Sequence, residues 1–88
     1  MKSKTTPAFR RAYRKLPKDI QAEAKKSYLL WKANPFHPSL NFELISSDPP
    51  PPLWSVRATF HYRALGIRQG DTMTWLWIGD HREYEKRI

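Results

Sequence analysis

Arg57, Arg63, His81 and Tyr84 are the residues of this sequence whose types could act together on a phosphodiester. Guanidinium groups can brace the non-bridging phosphate oxygens bidentately as charge builds in a transition state. An imidazole can move a proton near neutral pH. An aromatic ring such as Trp77 can stack an unpaired base. Each residue also has a plainer reading. Arg63 could be a surface charge, Trp77 packing and His81 a loop histidine. Tyr84 could dock the tail, and Arg57 could pair with Glu83 or Glu85. Other chemistries fit less well. His37, His61 and His81 lack tight ligand spacing and no acidic cluster accompanies them, so no metal site is expected. Three glycines cannot supply a phosphate-cradling loop, and Ser46-Ser47 has no adjacent base. No cofactor is expected.

What could bring the four together is strand alternation. From Leu53 the hydrophobic period becomes two, and LWSVRA, HYRALGIR and TMTWLWIG read as three strands. Their short connections require antiparallel pairing, the second through the turn Gln69-Gly70-Asp71. With the first turn centred near Phe60, Arg57 faces Arg63; with the next centred on Gly70, Arg63 faces Trp77. These three then share one face, with His81 emerging beyond Trp77 at matching parity. The opposite face carries Val56, Ala58, Tyr62, Ala64, Leu76 and Ile78, a set suited to lie beneath helices. A one-residue slip would reverse the two faces.

Those helices precede the strands. Phe9, Tyr13 and Leu16 recur at i, i+4 and i+7, which predicts a helix over 7–16 with basic residues around its apolar stripe. Pro17 closes it and opens a second helix over 17–33, with Ile20, Ala24, Tyr28 and Trp31 on one face and Asn34-Pro35 as the stop. Residues 35–52 hold six of the eight prolines and read as loop, with a short edge strand over 41–45. The tail from Asp80 is irregular or a short terminal helix. The expected fold is α+β: an N-terminal helical hairpin on one face of a small antiparallel sheet, forming one domain over 1–88.

Composition agrees with that scale. Eighty-eight residues allow one domain with a modest core, and 40% hydrophobic with 14% aromatic content suits a globular chain. There are no cysteines, so no disulfide framework is available, which fits a reducing cytoplasm. No apolar run approaches the roughly 20 residues of a membrane span, so no membrane partner is expected. Sixteen Lys and Arg against eight Asp and Glu leave a net charge of +8. Residues 1–32 hold ten of the basic side chains and only two acids, Asp19 and Glu23, so the excess belongs to the helices. That bias points to a polyanionic or acidic partner, with Arg10, Arg11 and Arg14 as candidate binding residues beside Arg57 and Trp77.

The segments AFRRAYRKLPKDIQAEA, NPFHPSL, LWSVRA, HYRALG and WLWIGDHREYEKRI, in that order, resemble toxins of the RelE/ParE superfamily over nearly the whole chain. The V-R…Y-R-A-L-G pair and the W-x-W-I-G-x-H-x-x-Y ending carry most of the likeness. The resemblance implies the toxin half of a type II toxin–antitoxin pair, partnered by an antitoxin protein. RelE-like members cleave messenger RNA, generally in the ribosomal A site, by metal-independent attack of a ribose 2′-hydroxyl, which inhibits translation. By the same resemblance Arg63 braces the phosphate, His81 serves as base or acid, and Tyr84 orients substrate. Ser55 stands where some ribosome-dependent members keep a lysine, and the family's leading strand is at best vestigial, since helix-like sequence begins by Pro7. The alternative the superfamily offers is a ParE-like toxin that inhibits DNA gyrase without catalysis.

Overall fold

Helix α1 (Pro7–Arg14) begins where Thr6, in an extended conformation, accepts a hydrogen bond from the Phe9 amide at 3.1 Å, with Pro7 in the first turn. This is the capping chemistry that satisfies orphan helix donors. Pro17 then precedes α2 (Lys18–Ala33), which ends at Asn34 just before Pro35. The turn between the helices is locked by Gln21, whose Nε2 donates to the Leu16 carbonyl at 2.9 Å, and by the Tyr13 hydroxyl, which donates to the Gln21 carbonyl at 3.1 Å. In this computed structural model, which describes residues 1–88, both helices lie on one face of a five-stranded sheet.

The strands are β1 (Lys2–Thr5), β2 (Glu43–Ser46), β3 (Leu53–Thr59), β4 (Tyr62–Gln69) and β5 (Thr72–Asp80), in the spatial order β1-β5-β4-β3-β2. The tail forms α3 (His81–Arg87). Pairing from β2 to β5 is antiparallel, as the short connections require. The leading strand is real, contrary to its faint sequence signal. Residues Lys2–Thr5 pair parallel to Thr72–Trp75, so the sheet is mixed. Four polar residues with little hydrophobic alternation give no period to detect; the strand exists because the edge of β5 offers backbone partners.

Helix α1 packs on β5 and α2 on β3, and the residues beneath them are small: Ala58, Ala64, Val56 and, from α2, Ala24. Trp31 and Trp75 fill the centre edge to face at 5.3 Å, and Phe42 meets Trp31 at 5.8 Å. Gly66 makes room for this. A Cβ there would lie 2.8 Å from the Met73 methyl and 2.9 Å from the Trp75 ring. The proline-rich segment includes a 3₁₀ turn at Pro38–Leu40 and is held by Phe36, Phe42 and Trp54, with Arg68 stacked on Trp54 at 5.0 Å.

The register agrees with the sequence reading at one hairpin and departs at the other. Arg57 does stand opposite Arg63. Arg63, however, stands opposite Gly79 rather than Trp77, which pairs with Leu65. The turn centres between Gly70 and Asp71, and one extra residue, Leu76, is inserted between the pairs Leu65–Trp77 and Gly66–Trp75. This β-bulge reverses the alternation within β5. Ahead of the bulge Met73 and Trp75 enter the core; beyond it Ile78 does. Leu76, expected beneath the helices, is displaced by it and stays half-buried, and Trp75 takes the core position.

Candidate functional site

Arg57 and Arg63 form a cross-strand pair on the sheet face away from α1 and α2. Neither has a carboxylate within ion-pairing distance, since the sole ion pair in the protein joins His81 to Glu85. The Nε of Arg57 is buried without a hydrogen-bond partner. Arg63 uses Nη1 on the carbonyls of Thr59 at 3.3 Å and Tyr62 at 3.2 Å. Burial, and secondly the like charge of Arg57, push the Arg63 guanidinium below its ordinary pKa, while Tyr84 and Glu43 act in the opposite sense. A guanidinium pair bonded to no carboxylate, partly withdrawn from water, is a place where an anion is stabilised.

The tail completes this face. Asp80 accepts from the Glu83 amide at 2.9 Å and caps α3. A seven-residue helix is too short to persist alone, so docking must hold it. The docking residue is Tyr84, buried to 7% exposure, whose hydroxyl donates to the Ser55 Oγ at 3.3 Å. Ser55 itself is 2% exposed on β3, which explains the departure noted there: a lysine at that depth would have no water for its charge. On α3, His81 stacks on Tyr84 at a centroid distance of 6.3 Å, places Nε2 2.8 Å from Glu85 Oε1 and keeps half its side chain exposed.

Arg57, Arg63, His81 and Tyr84 are therefore brought to one face. The other expected binding residues are not. Trp77 lies flat over Gly79, with the Arg87 guanidinium above it at 4.5 Å. It lines a cleft of about 490 Å³ along β5 beyond its pairing with β1, between Arg11 of α1 and the following Lys15 on one side and Glu83 and Arg87 of α3 on the other. Arg10 and Arg14 are exposed on α1, on the far side of the sheet from the guanidinium pair, and Arg10 donates to Thr5 Oγ1 at 2.9 Å. Sequence reasoning did not single out Ser55 as the seat of Tyr84, nor Gly79 as the floor for Trp77. It also passed over His61, which shares the parity of Arg63 two residues on, a signal that was present in the alternation.

Helical hairpin, mixed five-stranded sheet and a short tail helix on the open face together define the architecture. Among solved structures it matches the RelBE2 toxin–antitoxin complex of Mycobacterium tuberculosis with a TM-score of 0.71 at 19% identity, covering 91% of this chain and 96% of the other. The fold is that of the RelE toxins. The archaeal RelE–RelB complex of Pyrococcus horikoshii matches this RelE fold with a TM-score of 0.70 at 13% identity, over 90% of this chain and 92% of that one. A YoeB/ParE toxin from Agrobacterium tumefaciens matches with a TM-score of 0.67 at 19% identity, over 92% and 99%. No family model and no curated protein matches the sequence. The RelE likeness is thus one of backbone architecture. No helix is long and apolar enough to cross a membrane.

Proposed function

We propose that the protein is the toxin of a type II toxin–antitoxin pair and acts as an endoribonuclease on messenger RNA associated with the ribosome. The observation that carries this reading is the pair of guanidiniums bonded to no carboxylate, Arg57 and Arg63, on the face that also carries Tyr84 and the half-exposed imidazole of His81. A pure binding toxin has no need of a proton-transfer group next to two cations. In the reaction, the ribose 2′-oxygen attacks the adjacent phosphorus, the bond to the 5′-oxygen breaks, and a cyclic phosphate and a free 5′-hydroxyl result. Arg57 and Arg63 stabilise the charge that builds on the phosphoryl oxygens, and His81 exchanges a proton with one of the reacting oxygens. Tyr84 orients the site from within: its hydroxyl is engaged by Ser55, so it acts by seating α3 and backing His81. The basic helices, with Arg10, Arg11 and Arg14, face outward and would hold RNA phosphates or an acidic antitoxin segment. Two of the similar structures are of toxins bound to RelB or its counterpart, which supports an antitoxin partner here.

The test is primer extension on a translated messenger RNA in a cell-free system, comparing wild type with His81→Ala. New ends within codons for wild type, and a loss of roughly 10²- to 10⁴-fold for the variant, are expected. Intact RNA with translation unimpaired would overturn the reading, and inhibited gyrase supercoiling by the same sample would replace it with ParE-like action.

A further inference from the structure

Cleavage of RNA by 2′-oxygen attack moves two protons, one from the 2′-hydroxyl and one to the departing 5′-oxygen, and His81 is a single proton-transfer group. A second histidine is joined to the first by a backbone hydrogen bond. The amide of His81 donates to the carbonyl of His61 at 2.7 Å, extending the β4–β5 ladder by one step past the Tyr62–Asp80 pair. His61, in the turn between β3 and β4, and His81, at the start of α3, are therefore linked through the backbone one step beyond the Tyr62–Asp80 pair and two steps from Arg63 and Gly79.

The two rings differ in a way that assigns roles. His81 has Nε2 bound to Glu85, which leaves Nδ1 to face a substrate. The His61 ring makes no hydrogen bond and is exposed, its one ring neighbour being Phe60, edge to face at 4.6 Å. The tip that carries it is held in place: Arg63 bonds the carbonyls of Thr59 and Tyr62 on either side, and His81 bonds that of His61. The backbone of His61 is thus fixed by two residues of the candidate site, while its side chain has no structural duty.

We propose that His61 is a second catalytic residue, the general base that takes the 2′-hydroxyl proton while His81 gives a proton to the leaving 5′-oxygen; this rests on the ribonuclease reading. The balance closes without a co-reactant. The 2′-O–H proton passes to the free nitrogen of His61 as the oxygen–phosphorus bond forms. As the bond from phosphorus to the 5′-oxygen breaks, the imidazolium of His81 transfers its Nδ1 proton to that oxygen. The ionisable groups of this region are Tyr62 and Arg63 on β4, Arg57 on β3, Glu43 on β2, Asp80 at the end of β5, and Tyr84 and Glu85 on α3. None of these competes for His61 as a bonded partner.

The experiment is single-turnover cleavage of messenger RNA on programmed ribosomes across pH 5.5 to 8.5, with wild type, His61→Ala, His61→Gln and His81→Ala, on two substrates. One substrate is ordinary RNA and the other carries sulfur in place of the bridging 5′-oxygen, a leaving group that needs no proton. Wild type gives a bell-shaped profile on ordinary RNA, and each histidine variant loses roughly 10²- to 10⁴-fold and one limb of the bell. The sulfur substrate restores His81→Ala to near the wild-type rate and leaves both His61 variants slow. Wild-type rates for the His61 variants, or rescue of those variants by sulfur, would overturn the assignment while the ribonuclease reading stands. No cleavage by wild type would overturn both. His61 is exposed, and an unchanged thermal melt for its variants separates lost chemistry from lost structure.

Discussion

Arg57 and Arg63 are held side by side by strand pairing, and that arrangement costs the protein electrostatic repulsion until an anion arrives. A bound phosphate would relieve it, so phosphate should stabilise the folded protein beyond its effect on ionic strength. At ten times its dissociation constant the gain is about 1.4 kcal/mol, or a rise of roughly 6–11 °C in Tm for a domain of this size. Scanning calorimetry in phosphate against chloride at matched ionic strength checks this, and Arg63→Ala should lose the difference. Arg63 itself confers no pH dependence near neutrality. Its pKa is lowered in the folded state, so the unfolded chain holds the proton more tightly, and stability rises with pH only within the strongly alkaline window between the two values. Gly79 is a second residue whose role is steric. A Cβ there would sit inside the van der Waals envelope of the Trp77 ring. Gly79→Ala should therefore cost about 1–3 kcal/mol in urea unfolding and release Arg87 from its stacked position.

Among the elements, α3 is the one whose order depends on others. Its cap, the Tyr84–Ser55 bond and the His81–Glu85 pair are its local supports. Asp80→Ala should lower the stability of this helix by about 0.5–2 kcal/mol, and amide exchange in 81–87 should quicken while β3 and β4 keep their protection. How far each element was legible follows from the strength of its pattern. The helices declared themselves through Phe9, Tyr13 and Leu16 and through Pro17 and Asn34-Pro35, because periodicity and breakers are local signals. The pairing of Arg57 with Arg63 was legible because the hairpin is short. The Arg63–Trp77 pairing was not borne out, because a bulge depends on which of Trp75 and Leu76 fits under the helices, a question of packing that alternation cannot answer. Strand β1 was illegible for a related reason: its partner lies at the other end of the chain.

For the whole molecule, the charge is segregated: residues 1–32 hold ten basic side chains against two acids, and no ion pair neutralises any of them. The sheet and tail carry the candidate chemistry, and the helices supply the field around it. An acidic, amphipathic antitoxin segment should therefore bind tightly at low salt and weaken as salt screens the helices. Under the function proposed, co-elution of the protein with such a partner on size exclusion at low salt, and a looser complex at high salt, is the expected result. If the two eluted separately at low salt, the charge of the helices would have another purpose. RNA binding should fall in parallel, by roughly twentyfold to fiftyfold between 50 and 200 mM salt for three or four phosphate contacts.

The parallel pairing of β1 with β5, Lys2 beside Thr72 through Thr5 beside Trp75, has a bearing on synthesis. A growing chain cannot complete this sheet, nor seat His81 against Tyr84, until residues made late have emerged from the ribosome. Strand β1, made first, therefore waits unpaired until β5 has followed it.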